Sequence, residues 1–412
     1  MATLANGLAN ALRRFGPAYL AEHALSTPQS KAWRAIVACR TAALGGARLA
    51  CDHCKHEHWQ YHSCRNRHCP QCGARAKDAW LQGRLAEALP VPYAHLVFTL
   101  PHSLNSLYGA HPRWVIDTLF AATAQTLTEF THNPKWIAGV DDDGVDGDCG
   151  GMMPAFTLML HTWTQDLLRH IHVHAVMACG ALDGGGKWHP PARKPNFLFP
   201  VEALSCVFRG KFMAALKAAR RDGQLEVDPE AKASAWNARQ RALYRHDWVV
   251  YAKTPLGGSA QVLEYLSRYT HRTAISNERI VAIGERDVVI SVRADDKGGK
   301  RRERIEGSEF VRRIMLHVLP TGIKRIRHYG LLASACKTLR LGEARAALAM
   351  PPLNPRALES AADFMQRVAK LDVLRCPSCR VGKLKVVEVV VGQARLPSPA
   401  GAVRRQACRG PP

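Results

Sequence analysis

RHIHVHAVMACGAL (residues 169–182) sets three histidines at every second position and then runs into apolar residues. In a strand, successive side chains alternate between faces, so His170, His172 and His174 share one face while Ile171, Val173 and Ala175 take the other. Two neighbouring imidazoles on such a face can converge on one divalent ion, at about 2.1 Å each. The outer two of the three start too far apart to share it. His172 and His174 are the better anchored pair, because Ile171, Val173, Ala175 and Val176 surround them. The competing interpretation is a row of surface or hydrogen-bonded core histidines, and a second chemical element is needed to decide.

Working outward, AFTLMLHTW (155–163) is also strand-like, and six residues separate it from the histidine strand, which suits a hairpin. AHLVFTLPHSL (94–104) is a buried strand stopped by Pro101, and a helical pattern runs from Trp114 to about Phe130. The loop GVDDDGVDGDCGG (139–151) lacks the bidentate Glu of a calcium loop, since Met152 occupies that place, and is a solvated turn. Helices are expected around 200–222, 230–244 and 259–270, with a strand at WVVYAKT (248–254). Three short strands, RIVAIGE, DVVISVR and RRERIEG, precede the helix SEFVRRIMLHVL (308–319). The chain divides into an N-terminal helical and cysteine-rich segment (1–90), a central domain (91–345) and a basic C-terminal tail (346–412).

Within its 412 residues, Lys and Arg number 57 against 34 Asp and Glu, a formal charge of +23, which calls for a polyanionic partner, nucleic acid first. No run approaches the roughly 18 apolar residues of a membrane span, and no secretory pattern opens the chain. Six of the thirteen cysteines lie in C-x-x-C pairs beside histidines or basic residues, which is metal-site spacing and fits a reducing, cytoplasmic, nucleoid-associated setting. No phosphate-cradling G-x-x-x-x-G-K-[ST] motif occurs, so helicase work would come from a host helicase or other replication protein.

CDHCKHEHWQYHSCRNRHCPQC (51–72) pairs Cys51 with Cys54 and Cys69 with Cys72, fourteen residues apart. Four thiolates close a tetrahedral zinc site with no open position. Cys64, His53, His56, His58, His62 and His68 are reserve ligands or a second site. Arg65, Arg67, Arg75 and Lys77 make the surroundings a basic knuckle suited to phosphates. Cys376 and Cys379, in LRCPSCRVGKLKVV, look like half of a zinc ribbon whose other half is absent or reduced to Cys408.

The second chemical element is VLEYLSRYTHRTAISNERI (262–280). Tyr265 and Tyr269, four apart on a helix, share a face among Arg268, His271 and Arg272, a phosphate-binding neighbourhood. A phenol with a pKa near 10 is a poor nucleophile unless its electrophile is polarised, which a histidine-bound ion would do at a scissile phosphate. The product would be a 5′-phosphotyrosine bond and a free 3′-OH.

Together these motifs resemble the HUH superfamily of single-strand nucleases, specifically the two-tyrosine rolling-circle transposases of the IS91 family. The resemblance runs through SCRNRHCPQC, VFTLP, LHTWTQDLLRHIHVHAV, FLFPVEALSCVFRGKF, YLSRYTHRTAISN and RIRHYGLLAS. It implies an α+β fold: a central antiparallel sheet of HUH-nuclease type with the histidine strand in the middle, helices packed on one face, and a small N-terminal zinc-binding domain. It implies transposition through single-stranded DNA, structural Zn2+, and catalytic Mg2+ or Mn2+. The family's metal-binding histidines fall on His172 and His174 and its nucleophiles on Tyr265 and Tyr269. A third polar ligand commonly completes such sites; Gln165 is the candidate, with His161 and His170 as rivals. Arg65, Arg67, Arg268 and Arg272 are the candidate DNA contacts. A replication initiator or relaxase would share the chemistry, whereas a non-enzymatic zinc-binding DNA regulator would bind DNA without forming an adduct.

Overall fold

A computed structural model of the chain describes residues 7–138, 151–193, 198–225, 233–253, 274–294, 299–353 and 359–392. Helices α1 (Leu8–Glu22) and α2 (Thr27–Ala38) precede strands β1 (Gly45–Cys51) and β2 (Glu57–Tyr61). Next come α3 (Ala74–Glu87), β3 (Tyr93–Thr99), α4 (Asn105–Ala110) and α5 (Pro112–Thr131), then the hairpin β4 (Met153–Trp163) and β5 (Arg169–Leu182) with the short β6 (Trp188–His189). After α6 (Val201–Arg221) and α7 (Ala233–Arg245) follow β7 (Val250–Lys253), β8 (Ile280–Ile283), β9 (Asp287–Arg293) and β10 (Lys300–Glu306). The remaining elements are α8 (Gly307–Leu316), β11 (Ile326–Gly330), α9 (Lys337–Ala347), α10 (Ala361–Ala369) and β12 (Leu384–Val391).

The fold is α+β, and its main sheet is antiparallel throughout, in the order β11-β4-β5-β3-β7, with β6 added at the far end of β5. The histidine strand therefore sits in the middle. Its odd-numbered residues, Ile171, Val173, Ala175 and Met177, pack with Phe98, Leu119, Phe208 and Phe212 beneath α5 and α6. Proline at its first turn starts α5, and its buried Val115, Ile116, Leu119, Phe120 and Leu127 recur at the helical period on the sheet side. Each such large apolar side chain contributes roughly 1.5–3 kcal/mol by leaving water, so this face anchors the strand.

The opposite face is divided. At its far end Val176, Ala178 and Leu182 meet Tyr93, Met159 and Leu341, with Trp80 and Leu85 of α3 packed alongside, so helices cover part of both faces rather than one. At its near end lie the histidines. A second core joins α1 and α2 to the small sheet β10-β9-β8 and α8 through Leu12, Phe15, Ile36, Val288, Ile290 and Phe310. A third sheet, β12-β1-β2, pairs the C-terminal strand with the N-terminal hairpin. The sequence segments 1–90, 91–345 and 346–412 thus share cores and sheets with one another. Among the described residues, no helix is long and apolar enough to cross a membrane.

Candidate metal centres

His161 of β4 stands opposite His172 of β5, and the ligand nitrogens of His161, His172 and His174 lie within 4.8 Å of one another. His161 belongs to the unbroken register that runs from Phe156↔Met177 to His161↔His172, which sets it on the face of His172 and His174. The turn pairs Trp163 with Arg169, and an unbroken register from there would set His161 against Ile171, on the helix face. The offset is absorbed on β5, where His170 and Ile171 stand against the single Thr162 of β4, a β-bulge in the histidine strand next to the turn.

Hydrogen bonds orient the rings. His172 Nδ1 donates to the carbonyl of His170 at 3.0 Å, which leaves Nε2 with a lone pair, the tautomer a metal ligand requires. His174 Nδ1 lies 2.9 Å from Nε2 of His95 on β3, and a proton donated from His174 gives that ring the same tautomer. Burial pushes the His172 pKa down to about 4 and that of His174 well below its ordinary value, with neighbouring imidazoles adding to the effect. Both rings are neutral at pH 7. Trp163 stacks on His161 at 4.9 Å between ring centres and restricts its rotation. Three converging imidazole nitrogens on paired strands fit a borderline or hard divalent ion, and three ligands leave coordination positions open.

His170 points instead to His102, with Nδ1 and Nε2 3.2 Å apart. Gln165, the sequence candidate for the third ligand, does not join the cluster. It lies exposed in the β4–β5 turn, where its carbonyl accepts a hydrogen bond from Arg279, so the structure puts His161 in the place expected for it. The strand period alone could have pointed to His161, but the register in which β4 pairs with β5 fixes its face. Tyr265, Tyr269, Arg268 and Arg272 lie outside the described residues.

The cysteines regroup. Cys51 and Cys54 are not with Cys69 and Cys72; one cluster is Cys39, Cys64, Cys69 and Cys72, and the other is Cys51, Cys54, Cys376 and Cys379. In the first, Cys72 Sγ lies 3.4 Å from Cys39 Sγ and 3.6 Å from Cys64 Sγ. A tetrahedron of thiolates with metal bonds of about 2.3 Å has edges of about 3.8 Å, whereas a disulfide measures about 2.0 Å. The neighbouring thiols, Cys39 foremost, hold the Cys72 thiol well below the ordinary cysteine range, as a thiolate ligand requires. Cys39, a single cysteine where α2 ends, carries no C-x-x-C spacing to announce it. The C-terminal pair, Cys376 and Cys379, likewise meets Cys51 and Cys54, while Cys408 lies outside the described residues.

The basic knuckle is also divided in role. Arg65 is exposed, but Arg67 directs its guanidinium to the carbonyls of Leu319, Pro320 and Ile323, tying the cysteine loop to the segment before β11. Since binding of structural zinc is worth on the order of 10–16 kcal/mol, Cys69→Ser is expected to lose the first cluster's metal altogether. Metal analysis with limited proteolysis should show one zinc fewer and cleavage within residues 39–72; an unchanged zinc content would remove Cys69 from the ligand set.

A family model described as “Transposase zinc-binding domain” matches residues 11–100, and one described as “Putative transposase” matches residues 155–339. The chain is 38% identical over 397 residues to “Putative transposase y4qJ” of Sinorhizobium fredii, across 93% of this chain and 96% of that protein. It is 25% identical over 354 residues to “Transposase for insertion sequence element IS801” of Pseudomonas savastanoi pv. phaseolicola, across 84% of this chain and 80% of that protein. No solved structure matches it.

Proposed function

Given that the chain belongs to the IS91 family of transposases, with an N-terminal zinc-binding domain, we propose that it cleaves and rejoins single-stranded DNA through a 5′-phosphotyrosine intermediate in rolling-circle transposition. The observation that carries this reading is the convergence of His161, His172 and His174 at the near end of the central strand. A divalent ion there, Mg2+ or Mn2+, would supply Lewis acidity to the non-bridging oxygens of a scissile phosphate.

The protein's own groups do the rest. The buried imidazoles stay neutral, and the His170 carbonyl and His95 hold their orientation. The hydroxyl of Tyr265 or Tyr269 attacks phosphorus, the bond to the 3′ oxygen breaks as the phenolic O–P bond forms, and the phenol's proton ends on the 3′ oxygen, directly or through water. The phosphodiester energy is conserved for rejoining, and the second tyrosine can act while the first remains attached. The net charge of +23 favours binding of any DNA, and Arg65, Arg268 and Arg272 are proposed phosphate contacts. A host helicase or replication protein is the proposed source of the single strand.

Selectivity should appear at the chemical step, because in-line attack needs a backbone that bends sharply into the site and a stacked duplex resists this. Rates are to be compared on single-stranded, hairpin and relaxed duplex DNA of matched sequence and salt. Cleavage of the first two, little of the third and no stimulation by ATP are expected. Faster cleavage of the relaxed duplex would refute the substrate assignment, and binding with no cleavage of any of them would favour a DNA regulator.

A further inference from the structure

Cys51, Cys54, Cys376 and Cys379 join parts of the chain more than 320 residues apart, and the chemistry proposed above does not use them. Their sulfurs approach crosswise: Cys51 Sγ is 3.7 Å from Cys379 Sγ, and Cys54 Sγ is 3.7 Å from Cys376 Sγ. These are edges of a thiolate tetrahedron and far exceed a disulfide bond.

The two C-x-x-C turns are built alike. The N–H of Lys55 donates to the Cys51 carbonyl at 3.2 Å, and the N–H of Arg380 to the Cys376 carbonyl at 3.0 Å. Both residues are left-handed, with φ of 60° and 57°, so each turn folds back at the same point after its second cysteine. Backbone N–H groups of His53 and Cys54 approach Cys51 Sγ at 3.4 Å each, and that of Gly382 approaches Cys379 Sγ at 3.4 Å. Donors aimed at sulfur favour the thiolate over the thiol.

The turns also interlock. Asp52 N–H donates to the Lys383 carbonyl, and Lys383 N–H to Asp52 Oδ1, while β12 runs antiparallel to β1 from Cys51↔Leu384 to Gly45↔Val391. A Cβ on Gly382 would lie 2.5 Å from Cys51 Sγ, so the C-terminal turn packs against the N-terminal one with no room for a side chain. Among the described residues, the core between them is Leu49, Leu384 and the buried Cys51 and Cys376, with Ala47 and Cys379 packed against it, and Val386, Val387, Val389 and Val391 are exposed. So little burial does not hold a three-stranded sheet by itself.

We propose that these four cysteines bind a second structural zinc ion, which clasps the N- and C-terminal segments into one zinc ribbon. Binding converts four thiols to thiolates, releases four protons to solvent and changes no oxidation state. Arg380, Lys383 and Lys385 on the C-terminal side offset the charge of the resulting site.

The test is the zinc content of the full chain, by native mass spectrometry and elemental analysis. Two ions per chain are expected. C51S/C54S, C376S/C379S and the fourfold variant should each retain one, because both pairs serve the same ion. Gly382→Ala, which keeps every thiol, should release one of its two ions to a chelator faster than the unmodified chain does. One zinc in the unmodified chain, two in the fourfold variant, or none in the fourfold variant while each pairwise variant keeps one, overturns the proposal; the last result assigns the two pairs to different ions.

Discussion

Tyr265→Phe combined with Tyr269→Phe is expected to leave DNA binding unchanged and to abolish the denaturation-resistant protein–DNA adduct. Phenylalanine keeps the ring and its packing and removes only the hydroxyl, so the loss is chemical. Without a phenolic oxygen no O–P bond forms at either position, and the effect should be complete rather than graded. Each single variant should retain one round of cleavage at the remaining tyrosine. The assay is labelled single-stranded element ends with Mn2+, followed by denaturing electrophoresis and peptide mapping. An adduct surviving in the double variant would mean that the nucleophile lies elsewhere.

The histidine cluster makes a second large effect testable. His161→Ala, His172→Ala and His174→Ala should each lower the cleavage rate by about 10²–10³-fold, the scale seen when a group stabilising transition-state charge is removed. The Mn2+ concentration needed for half-maximal rate should rise in all three, while zinc content stays constant, because the cysteine clusters use none of these residues. His170→Ala and Gln165→Ala serve as comparators. His170 turns to His102, and Gln165 lies at the exposed turn, so both should lose far less. A severe loss with Gln165→Ala and a mild one with His161→Ala would restore the glutamine as the third ligand.

These comparators mark where the sequence could be read and where it could not. The central strand was legible because both of its faces obey period two: histidines on one, Ile171, Val173 and Ala175 on the other. The buried run of β3 and the alternation of β9 were legible for the same reason, as was the long apolar stripe of α5. The face taken by His161 was not, since a register counted back from the turn is offset by a bulge on β5, where two residues stand against one with no glycine to mark them. Zinc ligand grouping was hidden for a different reason. A C-x-x-C turn fixes which two sulfurs sit together, but which second pair they meet is decided by strand pairing, and β12 comes to β1 from the other end of the chain. Cys39 carries no local pattern at all, and its role follows only from the position of α2 against the loop that holds Cys64, Cys69 and Cys72. Arg67 was read by its charge as a phosphate contact, whereas its two terminal nitrogens donate to carbonyls of a distant loop and its Nε to His68 Nε2.

The pairing of β12 with β1 also bears on how the protein is made. During synthesis the N-terminal hairpin leaves the ribosome long before its partner, and at about 5–20 residues per second the 322-residue interval from Cys54 to Cys376 takes roughly 16–64 s. Throughout that time the nascent β1 edge, with its unpaired amides and two reactive thiols, has no native neighbour and is exposed to oxidation and to other chains. The first cysteine cluster is complete once Cys72 emerges and can fold early, but the ribbon is a post-translational event of very high contact order. A chain interrupted anywhere before Cys376 therefore carries a permanently open edge, which sets incomplete products apart from finished ones.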